Sequence, residues 1–309
     1  MRLLVMTPIW PSRAHPSAGI FIANRVRGVP GIRVVVDRRR GTRWLRWLLL
    51  FIWDGLRVRG PLDGVEAHIL YTAGFAGLVV ARLRRVPLLA YAHGTDVRQY
   101  PQRRRGYRFF VRQVVRHADL LVTNSQDTVH LIDAIAADIG GRRAPVRVLP
   151  PGYDDQLFRP TPRAADRRGK VLYLGGTNPR KAPEVAHELA DTLVGPGLNE
   201  VTPAEVARLI AEHDIVLVPS HAEPFGLVAA EAIGSGRWVV AREVGGLRDI
   251  VIDGVNGTLV ADGDFAGALG RVPDYDPFQV ARSVERYSLT AWQAAMRAAW
   301  EELLSARAR

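Results

Sequence analysis

The stretch "PSHAEPFGLVAAEA", Pro219 to Ala232, places two carboxylates, Glu223 and Glu231, eight residues apart around a Pro-Phe-Gly turn. The preceding "DIVLV" has the unbroken apolar character of a strand covered on both faces, and "LVAAEAIGSG" reads as a helix. A strand ending at Ser220 and a helix opening near Phe225 make the kind of turn at which open α/β sheets bind ligands. The first N–H groups of such a helix lack intrahelical partners and favour an anion. Pro224 has no N–H to leave unpaired, and Gly226 permits close approach of a ligand to the backbone. The amides of Phe225, Gly226, Leu227 and Val228 can therefore face a phosphate. Glu231 lies about six residues into the helix, roughly 9 Å along it. The two acids could hold opposite ends of one extended ligand. A plainer description also fits: Glu223 complements the helix dipole and Glu231 is half-exposed.

Cations point the same way. Of 42 basic residues, only Lys170 and Lys181 are lysines. In so arginine-rich a chain, Lys181 in "GGTNPRKAPE" suggests a site that wants a compact point charge rather than a planar fork, although a solvated lysine needs no such reason. An Asp-x-Asp pair occurs in "ADGDFAGAL", but Asp264 reads as the N-cap of a short helix, with Asp262 beside it. No metal and no cofactor are expected if Lys181, Arg180 and helix amides carry a leaving diphosphate. The chain has no cysteine, so disulfides and thiolate zinc sites are excluded.

These residues need a frame to hold them. With 309 residues and 48% hydrophobic composition, the chain can bury two cores. "RLLVM", "IRVVV", "EAHILY", "PLLAYAHG", "DLLVTNS" and "VRVLPP" read as strands in the first half; "KVLYLGG", "DIVLVPS", "RWVVA" and "GTLV" do so in the second. Helical patterns alternate with them in "YRFFVRQVVRHA", "SQDTVHLIDAIAADI" and "TPAEVARLIAEH", the last opening with a Thr202/Glu205 capping box. This order predicts parallel α/β architecture. "PPGYDDQLFRPTPRAADRRG" (150–169), rich in proline and charge, reads as a linker. A last helix in "SLTAWQAAMRAAWEELL" has Trp292, Met296, Ala299 and Leu303 on one side.

Several segments, taken in order, resemble the retaining GT-B glycosyltransferases of family 4 (group 1). "EPFGLVAAEA" is similar to the family's Glu-x7-Glu motif, "PSAGIF" (Pro16 to Phe21) to its glycine loop after the first strand, and "AHGTD" (Ala92 to Asp96) to its His-Gly-x-Asp segment. "VTNSQ", "VLPPGYDDQLF" and "VGGLRDIVIDGVNGTLV" match further stretches. The resemblance implies two Rossmann-like domains with parallel sheets facing across a cleft: an acceptor-side domain at 1–157 and a nucleotide-sugar domain at 158–287. The helix at about 288–307 would pack back on the first. By the motif, Glu231 would hold ribose hydroxyls, Glu223 a sugar hydroxyl, and Lys181 the diphosphate. His93 would line the sugar pocket, and Gly19 would admit the diphosphate to the backbone. Two departures stand out. Gly175-Gly176-Thr177 lacks the arginine usual after the strand-end glycine, so Arg180 is the substitute. Only 37 residues separate Lys181 from Pro219, which implies a shortened donor domain. The implied reaction moves a sugar from a UDP- or GDP-sugar to an acceptor hydroxyl, with a lipid-linked or cell-envelope glycan as one acceptor class. A nucleotide-sugar epimerase and a basic nucleic-acid-binding protein are the rival readings; no nucleic acid is expected, because no recognition helix or base-stacking motif is evident.

The net charge of +11 favours anionic partners. In "RRRGTRWLRWLLLFIWDGLRVRG" (Arg38 to Gly60), helical spacing puts Arg43, Arg46, Asp54 and Arg57 in one sector with Trp47, Leu50 and Trp53. Such a face suits an anionic membrane surface; the alternative is a buried helix with snorkelling arginines. The N-terminus reads as a strand rather than a signal peptide, and "WLLLFIW" falls far short of the ~20 residues that span a bilayer. The expectation is a cytoplasmic protein, peripheral on the inner membrane face if the helix is exposed.

Overall fold

Six strands form a parallel sheet: β1 (Leu3–Thr7), β2 (Ile32–Val36), β3 (Gly64–His68), β4 (Leu88–Ala92), β5 (Leu120–Thr123) and β6 (Val146–Val148), in the order β2-β1-β3-β4-β5-β6. A second parallel sheet contains β7 (Val171–Tyr173), β8 (Thr192–Leu193), β9 (Ile215–Val218), β10 (Trp238–Arg242) and β11 (Gly257–Val260), in the order β11-β10-β9-β7-β8. These elements belong to a computed structural model that describes residues 1–12, 18–37, 44–163 and 165–308. Contacts divide the chain into two units, Met1–Pro150 with Ala294–Arg309, and Pro151–Gln293.

In the first unit, β1, β3, β4 and β5 are buried along their whole length, which is why their sequences show no polar alternation. Alternation sorts their residues between two faces. Val65, Ala67, Ala90 and Ala92 share a core with Leu48, Phe51, Val80, Val114 and Ile132, which come from helices Trp44–Leu56, Phe75–Arg84, Arg105–His117 and Gln126–Ala137. Glu66 and His68 are set on the opposite face, where Glu66 meets Arg25 of helix Ile20–Val26 and Trp300 of helix Leu289–Ala308.

The second unit packs Val171, Val216, Leu217, Ala229, Ile233, Val239 and Val240 into one core. Its helix Pro203–Ala211 carries the expected reciprocal capping box, with Thr202 accepting from Glu205 N and Glu205 accepting from Thr202 N. Asp264 caps Phe265–Gly270 by accepting from Gly267 N at 2.8 Å.

Two expectations need correction. The stretch read as a linker at 150–169 packs into the second unit, which runs from Pro151 to Gln293. Tyr153 and Phe158 are buried in the second core, and Arg237 donates to the Thr161 carbonyl at 2.8 Å. Proline and charge hide those two aromatic anchors in the sequence pattern. The face of helix Trp44–Leu56 is also out of phase with expectation. Leu45, Leu49 and Trp53 are its exposed apolar residues (53%, 59% and 56%), whereas Trp47 and Leu50 are half-buried and Trp47 packs on the core. Arg46 and Arg57 are exposed as expected; Arg43 lies outside the described residues.

Candidate functional site

In the second unit the motif carboxylates sit at the carboxyl end of β9. The helix that follows is Leu227–Gly234, two residues later than its expected start, because Gly226 adopts a left-handed conformation (φ 104°) and turns the chain before the helix begins. A Cβ at Gly226 would lie 2.7 Å from Leu247 Cδ2. The unpaired helix amides therefore start at Leu227 and Val228. Phe225 is instead a core residue, its ring edge-on to Tyr287 at 5.6 Å.

Glu223 is buried and forms an ion pair with Lys181 through Oε2, which also lies 3.4 Å from Ser220 Oγ. Its carbonyl accepts from Gly246 N at 2.9 Å, so the "VGG" loop lies directly against the "EPFG" turn. Lys181 ends a one-turn helix, Pro179–Lys181, capped by the Asn178 side chain accepting from Arg180 N. The Tyr173 hydroxyl at the end of β7 lies 3.1 Å from Gly176 O and 3.2 Å from Lys181 O, donating to this pair and anchoring the loop. Tyr173 was not singled out from sequence; its signal was an aromatic ring two residues before a Gly-Gly pair. Gly175 has room for no Cβ because that phenol lies against it, and Gly176 is left-handed (φ 64°). Packing and backbone geometry thus account for both glycines. Arg180 is exposed, and its carbonyl accepts from His221 N at 2.8 Å.

Glu231 is the fifth residue of its helix, with no hydrogen-bond or ion-pair partner among the described residues. Burial pushes its carboxyl up to about 8, with the Asp154 charge adding to the effect. Lys181 and Ser220 both meet Glu223 Oε2, whereas neither Glu231 nor the Arg180 guanidinium makes a hydrogen bond or ion pair with these residues.

In the first unit Gly19 is left-handed (φ 69°) and caps helix Ile20–Val26; a Cβ there would lie 2.8 Å from Ile9 O. Pro16 and Ser17 of the same motif lie outside the described residues. His93 follows β4. Its amide donates to Asp96 Oδ1 at 3.0 Å, and its carbonyl accepts from Asn124 Nδ2 at 3.0 Å. Asp96 also accepts from Leu70 N at 2.9 Å, so this aspartate braces loops. Burial raises its carboxyl above the usual range, against the pull of those amide bonds. The His93 imidazole stacks on Tyr91 (4.4 Å, 11°), and its Nε2 lies 3.0 Å from His68 Nδ1. His68 Nε2 in turn lies 3.1 Å from Glu66 Oε1, while Glu66 Oε2 accepts from Trp300 Nε1 at 2.9 Å and Arg25 at 3.2 Å. Sequence reading treated "EAHILY" only as a strand; its signal was two ionisable residues at i and i+2 in a run otherwise buried on both faces.

Two Rossmann-like units, each with its charged and glycine-bearing loops at the carboxyl ends of parallel strands, define the GT-B class of architecture. The family described as "Glycosyl transferase 4-like domain" matches residues 11–152, and "Glycosyl transferases group 1" matches residues 155–272. Anabaena Alr3699/HepE, solved in complex with UDP and glucose, superposes with a TM-score of 0.71 at 17% identity, covering 97% of this chain and 99% of that one. A D-inositol 3-phosphate glycosyltransferase of Frankia alni is 30% identical over 324 residues, covering 81% of this chain and 77% of the relative. One of the same description from Kribbella flavida is 31% identical over 282 residues, covering 71% of this chain; the chain spans 65% of that relative's length. The chain belongs to the group 1 glycosyltransferases.

Proposed function

We propose that the chain transfers a sugar from a nucleotide-diphosphate sugar to an acceptor hydroxyl with retention of configuration. The observation that carries this reading is the Lys181–Glu223 contact beside the N-terminus of helix Leu227–Gly234, in a chain of this family. In the free protein each charge neutralises the other. A bound diphosphate takes Lys181, with the Leu227 and Val228 amides and Arg180 adding positive field, and the released Glu223 accepts from a sugar hydroxyl. Glu231, holding its proton, both donates to and accepts from the ribose hydroxyls. UDP is favoured over GDP by the similarity to Alr3699/HepE, solved with UDP and glucose.

In the transfer step the anomeric C–O bond to phosphate breaks while a bond to the acceptor oxygen forms on the same face. The acceptor proton passes to the departing phosphate oxygen, so no covalent sugar–enzyme adduct is formed. The positive groups named above supply the field a metal would otherwise provide. Incubation with UDP- and GDP-sugars and an acceptor panel tests this: nucleotide is released, and proton coupling at the product's anomeric centre reports the donor's configuration. An inverted product would end the retaining mechanism. Sugar epimerisation without nucleotide release would establish the rival epimerase.

The exposed Leu45–Leu49–Trp53 stripe, flanked by Arg46 and Arg57, supports docking on an anionic membrane that presents the acceptor. No helix among the described residues is long and apolar enough to cross a membrane.

A further inference from the structure

In the first unit a cavity of about 650 Å³ opens between the segment that follows β3 and the start of helix Arg105–His117, with Tyr71, Arg103, Arg104, Gly106, Tyr107 and Phe110 in its lining. Among the described residues no acid lines it. Both arginines are exposed. Arg103 donates to the neutral side chain of Gln99, and the Arg104 guanidinium has no hydrogen-bond or ion-pair partner among the described residues. Sugar transfer as described above uses none of these groups.

The aromatic wall of this cavity is built in advance of any ligand. Ile69, a β-branched residue, takes a left-handed φ of 77°, a strained conformation that persists only where its surroundings over-determine it. Those surroundings are identifiable: Ile69 N donates to Tyr91 O at 3.0 Å, Gly74 N to Ile69 O at 2.9 Å, and Leu70 N to Asp96 Oδ2 at 2.9 Å. The chain then makes a π-helical turn, Leu70–Gly74, a form found mostly as single turns and frequently at functional sites. That turn lays Tyr71 on Tyr107, ring centroids 4.2 Å apart and planes within 22° of parallel. Tyr107 is fixed at its far end, where its hydroxyl donates to the Asp96 carbonyl at 2.6 Å. Asp96 thus braces both tyrosines, one segment through its side chain and the other through its main chain. Arg103 lies against the same wall, its guanidinium carbon 5.5 Å from the centre of the Tyr107 ring.

Gly106 is an independent sign. It is the second residue of a 13-residue helix, where glycine is disfavoured against alanine. Its φ is not left-handed, and a Cβ there would meet no atom within 4 Å. Among the described glycines only Gly106 and Gly270 combine those two properties, and Gly270 closes its helix. Neither backbone strain nor packing in the free protein asks for glycine at 106; the missing side chain leaves the backbone bare to the cavity. We propose that this cavity binds a phosphate ester, with the phosphate held by Arg103 and Arg104 and its carrier against the Tyr71, Tyr107 and Phe110 wall. Two guanidiniums with no acid beside them match a group carrying about two negative charges. The half-buried rings offer apolar surface to a sugar ring or a glycerol backbone. All of these residues belong to the first unit, so the site stands independently of how the second unit binds nucleotide.

Titration calorimetry on the full chain tests this, with glucose 6-phosphate, glucose and monomeric dihexanoyl phosphatidic acid as probes. Glucose 6-phosphate should bind, and glucose should bind at least about tenfold more weakly. Arg103→Ala/Arg104→Ala should weaken the ester by about tenfold or more, the loss expected when charge-assisted hydrogen bonds are removed. Gly106→Leu should do the same with a melting temperature no lower than the wild type, because a side chain then fills the approach to the backbone. The arginine pair is on the surface, so that variant decides the matter even where Gly106→Leu fails to fold. Lys181→Ala should leave the affinity unchanged, which separates this cavity from the nucleotide site. Binding of glucose 6-phosphate identifies a soluble ester as occupant; binding of the phosphatidic acid alone, lost in the arginine variant, identifies a lipid-borne one. The proposal is overturned if neither probe binds, if the arginine variant binds as tightly as the wild type, or if only Lys181→Ala loses binding.

Discussion

Glu66 in the first unit is wholly buried and Glu231 in the second is half-buried, and the acidities of these two carboxylates move in opposite directions. Glu66 is brought to about 2, while Glu231 is pushed up to about 8. Burial acts on both in the same sense, disfavouring the charge. What differs is company. Glu66 is met by Arg25, His68 and Trp300, all within hydrogen-bond distance, whereas Glu231 has the like charge of Asp154 nearby and no partner among the described residues. A carboxylate saturated by its own fold is a structural anchor. One left protonated and unpaired has its hydrogen-bonding capacity free for a ligand. The Lys181–Glu223 pair falls between: satisfied in the free protein, but with side-chain exposures of 30% and 10%, and so open to exchange of partners.

Removing the anchor should have the largest consequence. Glu66→Ala removes the acceptor shared by a buried guanidinium, an imidazole and an indole N–H, and should cost about 3–5 kcal/mol in denaturant unfolding at neutral pH. Because the folded-state value lies below the unfolded 4.5, the stabilisation from Glu66 is present above that pH and is lost as pH falls from about 4.5 to about 2. A loss under 1 kcal/mol would mean that Arg25 is solvated another way.

Lys181→Ala should lower turnover by about 10²–10³, the usual loss of one preorganised contact to developing charge, with little change in stability because the pair is partly solvated. Lys181→Arg should recover only part of the rate, since a planar fork replaces a point charge. Wild-type turnover in the alanine variant would remove Lys181 from the site.

For Glu231 the sign reverses. The folded chain keeps a proton that the unfolded chain releases between about pH 4.5 and about 8, so stability falls as pH rises through that window. Glu231→Gln should unfold with the wild type near pH 4 and be more stable at pH 8, by about 2 kcal/mol once partial solvent contact is allowed for. Equal stabilities at both values would show that Glu231 is paired. The smallest effect concerns the exposed stripe: Leu49→Ser/Trp53→Ser should leave folding unchanged and abolish co-sedimentation with anionic vesicles. Protein that stays in the supernatant with wild-type residues at low salt would discount the membrane reading.

The two regions were unequally legible in the sequence for a physical reason. The second-unit site is built from contiguous motifs, so the spacing of Glu223 and Glu231 and the rarity of lysine could be read directly, as could β2 and β11 from "IRVVV" and "GTLV". The first-unit cluster around Glu66 is built from residues far apart in the chain: Arg25 is 41 positions from Glu66, and Trp300 is 234. A strand pattern can announce buried ionisable groups but not who pairs them. The stripe on helix Trp44–Leu56 was read at the right helix with the wrong phase, because a helix apolar on most sides leaves its buried sector to tertiary packing. The strand Thr192–Leu193 is too short to leave a periodic signal.

We propose that the second unit holds a nucleotide diphosphate through groups that, in the free protein, are paired with one another or protonated. Titration calorimetry of UDP and GDP into the wild-type chain and into Lys181→Ala tests it most directly. One of the two nucleotides should bind the wild type, with affinity reduced about tenfold or more in the variant. If neither nucleotide binds the wild type, or if the variant binds as tightly, the Lys181–Glu223 pair is an ordinary ion pair and the donor site lies elsewhere.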